Sequence, residues 1–276
     1  MNKAVFGFVA WVAMGAALLT AVAVAQQPAP REPAEEYGEW MAAPGELAAV
    51  PVNRIARSLR LNGQAMKLGR KVFAEHCAGC HGEDLRGLPD QHTPDLTDAE
   101  WRFAGDDLPS GGATKFPPDV EWTVRYGIRS GNPNARGAEV PMLAYDPQYR
   151  TKEDKEDFGE GWFLNLDEID EVIEYVLEIS GRPAERAKAA RGEVLFHDGA
   201  KGNCYDCHGD DGAGIDTFGS SNLTRPDLYL YGSDRTSIRE SITKGRHGTM
   251  PAFEDVLKPQ ELKAVSVYVF SQAKQK

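Results

Sequence analysis

Two stretches of this chain carry apolar residues three and four positions apart. Ile169, Val172, Ile173, Val176 and Leu177 form one set, and Leu262, Val265, Val269 and Phe270 form the other. This spacing lines up one apolar stripe and predicts a helix buried along it. Each stripe contains a Tyr-Val pair, Tyr175-Val176 and Tyr268-Val269. Two more helices are predicted upstream, starting near Gln64 and near Ala187, and the chain between helices is rich in Gly and Pro. A third apolar stretch differs in kind. From Ala4 to Ala25 the residues are mostly apolar, with Lys3 in front and Ala-Val-Ala just before Gln26.

A basic start, an apolar core and a small-x-small end are the marks of a secretory signal. The same 22 residues are long enough to cross a hydrocarbon layer of ~30 Å as one helix. Residues 1–25 are therefore expected to be a signal peptide or a single membrane anchor. Both outcomes put the rest of the chain on the periplasmic side of the cytoplasmic membrane, because Lys3 holds the N-terminus inside. If the segment is cleaved, the product is soluble in the periplasm. Residues 26–59 are read as a tether, Pro-, Ala- and Glu-rich as far as residue 50.

The formal net charge is −11. That excludes nucleic acid, which requires a basic face, and favours a basic protein partner. Part of the acidity is local: Glu153, Asp154, Glu156, Asp157 and Glu160 cluster within an insert, Asp146–Trp162, that shows no clear periodicity. A solvated insertion is the favoured reading of that segment, ahead of a docking surface.

Chemistry enters through two short runs. Cys77-Ala-Gly-Cys80-His81 and Cys204-Tyr-Asp-Cys207-His208 both read C-x-x-C-H, and together they use all four cysteines. This is the attachment pattern of a c-type haem. Two thiols separated by two residues lie on one turn and can bond the two vinyl groups of one porphyrin. The adjoining histidine is then carried under the iron as the proximal ligand. A C-x-x-C pair is also half of a thiolate zinc site or a redox dithiol, and paired thiols can form a structural disulfide. None of these requires a histidine after both pairs. The expectation is two covalently bound haems c, attached through Cys77, Cys80, Cys204 and Cys207, with His81 and His208 as iron ligands.

The chain also repeats itself. Gly69-x-x-x-Phe73 precedes the first motif and Gly192-x-x-x-Phe196 the second; Leu96-Thr97 and Leu223-Thr224 each begin fifteen residues after the motif histidine. Each half closes with one of the apolar-striped helices. The expected fold class is all-α: two tandem cytochrome c-like helical domains, 60–181 and 182–276, each wrapped around one covalent haem, with Gly181-Arg-Pro-Ala184 as the linker. The sixth iron ligand is expected to be a methionine. Met250, in Gly245-Arg-His-Gly-Thr-Met-Pro, lies 42 residues after His208, and Met142, after Val140-Pro141, lies 61 residues after His81. Sequence order pairs Met142 with His81 and Met250 with His208. With His and Met both bound, an iron has no open site for oxygen or peroxide and transfers electrons instead. Arg246, beside the ligand loop, is a candidate contact for a haem propionate.

Over roughly residues 60–272 both halves resemble the di-haem cytochrome c subunit, subunit III, of cbb3-type cytochrome c oxidases. The most specific stretches are Leu230-Tyr-Gly232, Ile242-Thr-Lys-Gly-Arg-His-Gly-Thr-Met-Pro-Ala-Phe253 and Tyr126-Gly-Ile-Arg-Ser-Gly131 leading to Met142-Leu-Ala-Tyr145. The resemblance implies haem-binding roles for Cys77, Cys80, His81, Met142, Cys204, Cys207, His208 and Met250. It also implies a place in a membrane complex that reduces oxygen to water. There the subunit, not catalytic alone, would receive electrons from a soluble cytochrome or a bc1 complex and pass them on. The alternative is a periplasmic di-haem carrier, or the cytochrome subunit of another respiratory, photosynthetic or dehydrogenase system. A third reading, a di-haem peroxidase or thiosulfate-oxidising cytochrome, needs a vacant distal position or a cysteine ligand, and no fifth cysteine exists.

Overall fold

The computed structural model describes residues 45–98, 100–103, 117–137, 141–152, 156, 159–215 and 218–273. The expected signal or anchor, 1–25, lies outside them, as do residues 26–44 of the expected tether and part of the acidic insert. The rest of the tether, to residue 59, is largely helical. Two short helices, α1 (Glu46–Ala49) and α2 (Val52–Arg57), form there. Leu47, Val52 and Ile55 are apolar enough to pay for ordering them, and bury against Leu61, Ala65, Ala264 and Val267. The Lys263 ammonium donates to the Ala48 and Val50 carbonyls at 2.7 and 2.8 Å, fixing the turn between the two helices.

The first entering helix, α3 (Leu59–His76), starts five residues before the predicted Gln64 because Ser58 caps it, its hydroxyl accepting from the Leu61 amide. The first motif forms α4 (Ala78–His81), and α5 (Pro117–Tyr126) follows. The apolar-striped helix α6 (Leu166–Ile179) begins with a capping box between Asn165 and Glu168. Next come α7 (Arg186–Phe196), α8 (Tyr205–His208), α9 (Arg235–Lys244) and α10 (Pro259–Gln272). Asp234 caps α9, accepting from the Thr236 and Ser237 amides. Among the described residues no β-strand forms; there are only isolated bridges.

The helices do not pair in chain order. A contiguous tandem would pack α3 on α6 and α7 on α10. Instead α3 lies on α10, and α6 lies on α7. Glycine decides both contacts. A Cβ on Gly69 would collide with the Ala264 carbonyl and the Tyr268 side chain, so α3 and α10 touch backbone to backbone. A Cβ on Gly192 would collide with the Glu171 carbonyl, and α7 and α6 meet in the same way. The two stripes therefore serve the opposite motifs from those that sequence order suggests. One core joins Val72, Phe73, Leu85, Val120 and Val124 to Leu257, Leu262, Val265, Tyr268 and Val269. The other joins Tyr145, Leu164, Ile169, Val172, Ile173, Val176 and Leu177 to Ile238 and Ile242. The second core draws on one continuous run of chain, which sits between the two parts that make the first.

Leu262 and Ile173 are both almost wholly buried. Replacing either by Ala should cost about 2–5 kcal/mol. Leu262→Ala should lower amide exchange protection in α3 and spare α7; Ile173→Ala should do the reverse. Hydrogen exchange by mass spectrometry checks this, and loss of protection in α7 for Leu262→Ala would contradict the exchanged pairing.

Candidate haem sites

Each C-x-x-C-H run occupies one helical turn after an entering helix, directly following α3 in the first case and following a loop after α7 in the second. The Cys77 carbonyl accepts from the Cys80 and His81 amides at 3.1 and 2.9 Å; the Cys204 carbonyl accepts from Cys207 and His208 at 3.3 and 2.9 Å. This closes both thiols and the imidazole onto one side of a single turn. The chain then leaves through a glycine at positive φ, Gly82 (74°) or Gly209 (76°). The bonds that follow repeat with a constant offset. The Gly87 amide donates to His81 and Gly214 to His208, at 2.9 and 2.7 Å, and Leu96 donates to Leu85 as Leu223 does to Gly212, at 2.7 and 2.6 Å. The Thr93 hydroxyl donates to the Cys80 carbonyl at 2.6 Å, and the Ser220 hydroxyl donates to that of Cys207. The repeat read from the sequence thus extends to individual hydrogen bonds.

The two motif histidines sit in related surroundings with different hydrogen bonding. The His208 Nδ1 lies 3.0 Å from the Ser221 carbonyl, which selects the tautomer that leaves Nε2 free for a metal. The equivalent carbonyl in the first site is Pro94, which acts on the His81 ring, although the buried Nδ1 makes no hydrogen bond. Burial holds both imidazoles below their ordinary pKa and so favours the neutral, ligating form. Burial also pushes the Cys77 thiol up to about 11 and the Cys204 thiol up to about 12. Neutral thiols in apolar surroundings suit a porphyrin edge better than a zinc ion, which requires thiolates. Cys77 and Cys204 also pack against different cores. Among the described residues no three His, Cys, Asp or Glu side chains gather as a metal site.

The methionines are placed crosswise. Met250 packs with Cys77, Ala78 and Leu96 against the first core, and Met142 packs with Cys204, Leu223 and Tyr229 against the second. This reverses the pairing expected from chain order. The physical reason is a reciprocal backbone exchange. Met250 and Ile128 donate to each other's carbonyls at 2.9 and 3.0 Å, and Met142 and Arg246 do so at 3.2 and 2.9 Å. The same exchange continues outward. Phe253 donates to Val124 at 3.2 Å, while Tyr145 donates to Ile242 at 3.0 Å. Each crossing needs a glycine at positive φ. A Cβ on Gly127 would strike the Met250 carbonyl, and one on Gly245 would strike that of Met142.

Arg246 is bonded through its backbone to Met142 rather than standing beside Met250's lobe. Its Nε donates to the Ser241 hydroxyl at 3.0 Å, and its guanidinium lies 4.2 Å from the Tyr231 ring centroid. Two arginines missed by the sequence reading, Arg102 and Arg129, reach the same region from the first half of the chain. Only their single-letter context was visible in the sequence, and neither belongs to the repeat. Trp101 and Trp162 pack against the first and second cores respectively, whereas Trp122 donates to the Asn134 carbonyl at 3.0 Å.

Comparison with known families agrees with this chemistry. A family model described as cytochrome C oxidase, cbb3-type, subunit III matches residues 187–269, and a cytochrome c model matches 66–180. The cbb3-type cytochrome c oxidase subunit FixP of Bradyrhizobium diazoefficiens is 36% identical over 235 residues, covering 85% of this chain and 69% of that protein. The corresponding subunit CcoP of an Azospirillum species is 32% identical, covering 81% and 67%. CcoP of Cereibacter sphaeroides is also 32% identical, with the same two coverages.

Gly245→Ala should force a shift at Met142 and cost on the order of 1–3 kcal/mol through overpacking. The loss should fall on the lobe that contains Cys204. Thermal melts monitored separately at the two lobes by tryptophan and exchange signals check this; an unchanged melting temperature would contradict the close approach.

Proposed function

The chain belongs to the cbb3-type cytochrome c oxidase subunit III family, and from that premise we propose that it is a two-haem relay whose two lobes exchange their ligand methionines. It is an electron-transfer subunit of the cytochrome c type, and its domains imply covalent haem c. In the proposed arrangement one haem is attached through Cys77 and Cys80 and ligated by His81 and Met250. The other is attached through Cys204 and Cys207 and ligated by His208 and Met142. The observation that carries the pairing is the reciprocal backbone bonding of Met250 with Ile128 and of Met142 with Arg246.

A bound haem c supplies a one-electron ferric–ferrous couple, and a thioether ligand raises its potential. The chain's own residues do the rest. The paired thiols fix one porphyrin edge to the motif turn, and the Ser221 carbonyl orients the His208 ring. Val120, Val124, Leu262 and Val265 in one lobe, and Ile169, Val172, Ile238 and Ile242 in the other, keep water out. Each methionine would hold the iron and so exclude oxygen. The chain is then not catalytic alone; it passes electrons to partner subunits of a membrane complex. The donor is a soluble cytochrome or a bc1 complex, and the chain's charge of −11 favours a basic surface on it. Residues 1–25 anchor the protein to the periplasmic face of the membrane or are removed as a signal. No helix among the described residues is long and apolar enough to cross a membrane.

The pairing is tested in a variant that carries only the first haem, Cys204→Ala with Cys207→Ala. There Met250→Ala should open carbon monoxide binding to the reduced protein, and Met142→Ala should not. The opposite result would restore the pairing of chain order. Partnership is tested by solubilising native membranes, capturing the chain through a C-terminal tag and reading its N-terminal residue. Haem-copper oxidase subunits should co-purify. A soluble product beginning at Gln26 without them would favour a periplasmic carrier.

A further inference from the structure

We propose that Arg102, Arg129 and Arg246 form one anion site at the seam between the lobes, and that it holds the propionate carboxylates of both haems. Arg102 would serve the haem at Cys204, and Arg129 the haem at Cys77. The inference rests on the two-haem reading above and adds to it the residues that neutralise the haem side chains.

The three guanidinium groups come from separate segments and converge on Tyr231. Arg246 lies over its ring, Arg129 donates to the carbonyl of Gly248, which the Tyr231 hydroxyl approaches, and Arg102 donates to the carbonyl of Leu228, three residues before it. The His92 ring, from the loop after the first motif, packs on Tyr231 with centroids 4.6 Å apart. Tyr231 thus marks the place where the two halves of the chain meet.

The arginines are short of negative partners. Arg102 spends its fork on neutral acceptors: Nη1 donates to the Ser221 hydroxyl at 2.6 Å and Nη2 to the Leu228 carbonyl at 2.8 Å. Arg129 donates to the carbonyls of Gly248 and Gly137 at 2.9 and 3.4 Å. Among the described residues neither makes a salt bridge, and the one made by Arg246 is long, 3.8 Å to Glu240. Asp98 acts on Arg102 only through space. Burial is the largest influence on both Arg102 and Arg129 and opposes their charge. A desolvated guanidinium without a carboxylate is costly, and its planar fork is shaped for one. The chain has 42 acidic residues against 31 Lys and Arg, yet among the described residues none forms a salt bridge with these two. The missing charge is then expected from something the chain binds, and each haem c brings two carboxylates.

Position assigns the haems. Arg102 grips Ser221, whose carbonyl orients His208. Arg129 grips Gly248, two residues before Met250. Each arginine therefore acts across the seam, on a segment from the other half of the chain that adjoins a ligand of the haem it serves.

The test uses the full chain with its haems attached, counted by the pyridine haemochrome spectrum. Midpoint potentials come from spectroelectrochemical titration, and the propionate bending band from resonance Raman. Each redox transition is assigned by its absence from a variant lacking one cysteine pair. Arg102→Gln should shift the ferric-to-ferrous ratio of the haem at Cys204 about tenfold towards ferric at a fixed potential, ~59 mV, and should move its propionate band. Arg129→Gln should do the same at the other haem. Arg102→Lys keeps the charge and serves if the Gln variant folds poorly; its midpoint should stay near that of the parent while the band moves. Unchanged potentials and bands with two haems attached would overturn the proposal, and so would a shifted potential with unmoved bands. Fewer than two haems on the parent chain would instead overturn the two-haem reading.

Discussion

One α-helix can rest directly on the backbone of another only where no Cβ stands between them. Both entering helices meet that condition at a single residue, Gly69 on the Ala264 carbonyl and Gly192 on that of Glu171. Everything near the candidate sites depends on these two contacts. Each fixes an entering helix, and with it the stretch of chain that leads into a motif turn. A larger residue at either place would push the helices apart and lift the motif away from the apolar residues that must cover the porphyrin. The partner helix supplies that cover. Leu262, Val265 and Val269 belong to one core and Val172, Ile173 and Val176 to the other.

The seam between the lobes has a different chemistry from the rest of the surface. The chain is acidic overall, but the seam concentrates arginines around an aromatic ring and offers them carbonyls and hydroxyls. Two buried acidic groups elsewhere are matched within the chain. Arg136 pairs with Asp119 in a buried bridge at 3.1 Å, and Glu174, almost wholly buried, accepts the Glu185 amide at 2.7 Å and contacts Arg235. The contrast separates positive charge that serves the fold from positive charge left over for a ligand.

Much of this was legible in the sequence, for stated reasons. The motif turns are local, so their spacing alone specifies them. The helical stripes are periodic, and the repeat of Gly69 and Gly192 already marked the positions of close approach. Helix partnership was not legible. Both stripes are amphipathic and carry the same Tyr-Val pair, so pattern does not say which entering helix each one covers. The methionines were recognised as ligand candidates and paired by chain order, whereas each packs against the other motif's core, because backbone bonds between Ile128 and Met250 have no sequence signal. The helical part of the expected tether was hidden by its Pro and Ala content, although Leu47, Val52 and Ile55 were there to be read as a face. Arg102 and Arg129 become distinctive only through what they touch.

The exchanged pairing also sets an order of assembly. The second core comes from one uninterrupted run of chain, with α6 and α7 joined by a short link. Its contacts are close in sequence, so little loop-closure entropy opposes them. The first core must join α3 to α10 across the whole of the other lobe. As the chain emerges from N- to C-terminus, the first motif appears early but cannot be enclosed until the last helix is made, whereas the second motif is enclosed sooner although it appears later. The first haem would thus be the first available to the attachment machinery and the last to be sealed, which gives that machinery an open turn to work on for most of synthesis and export.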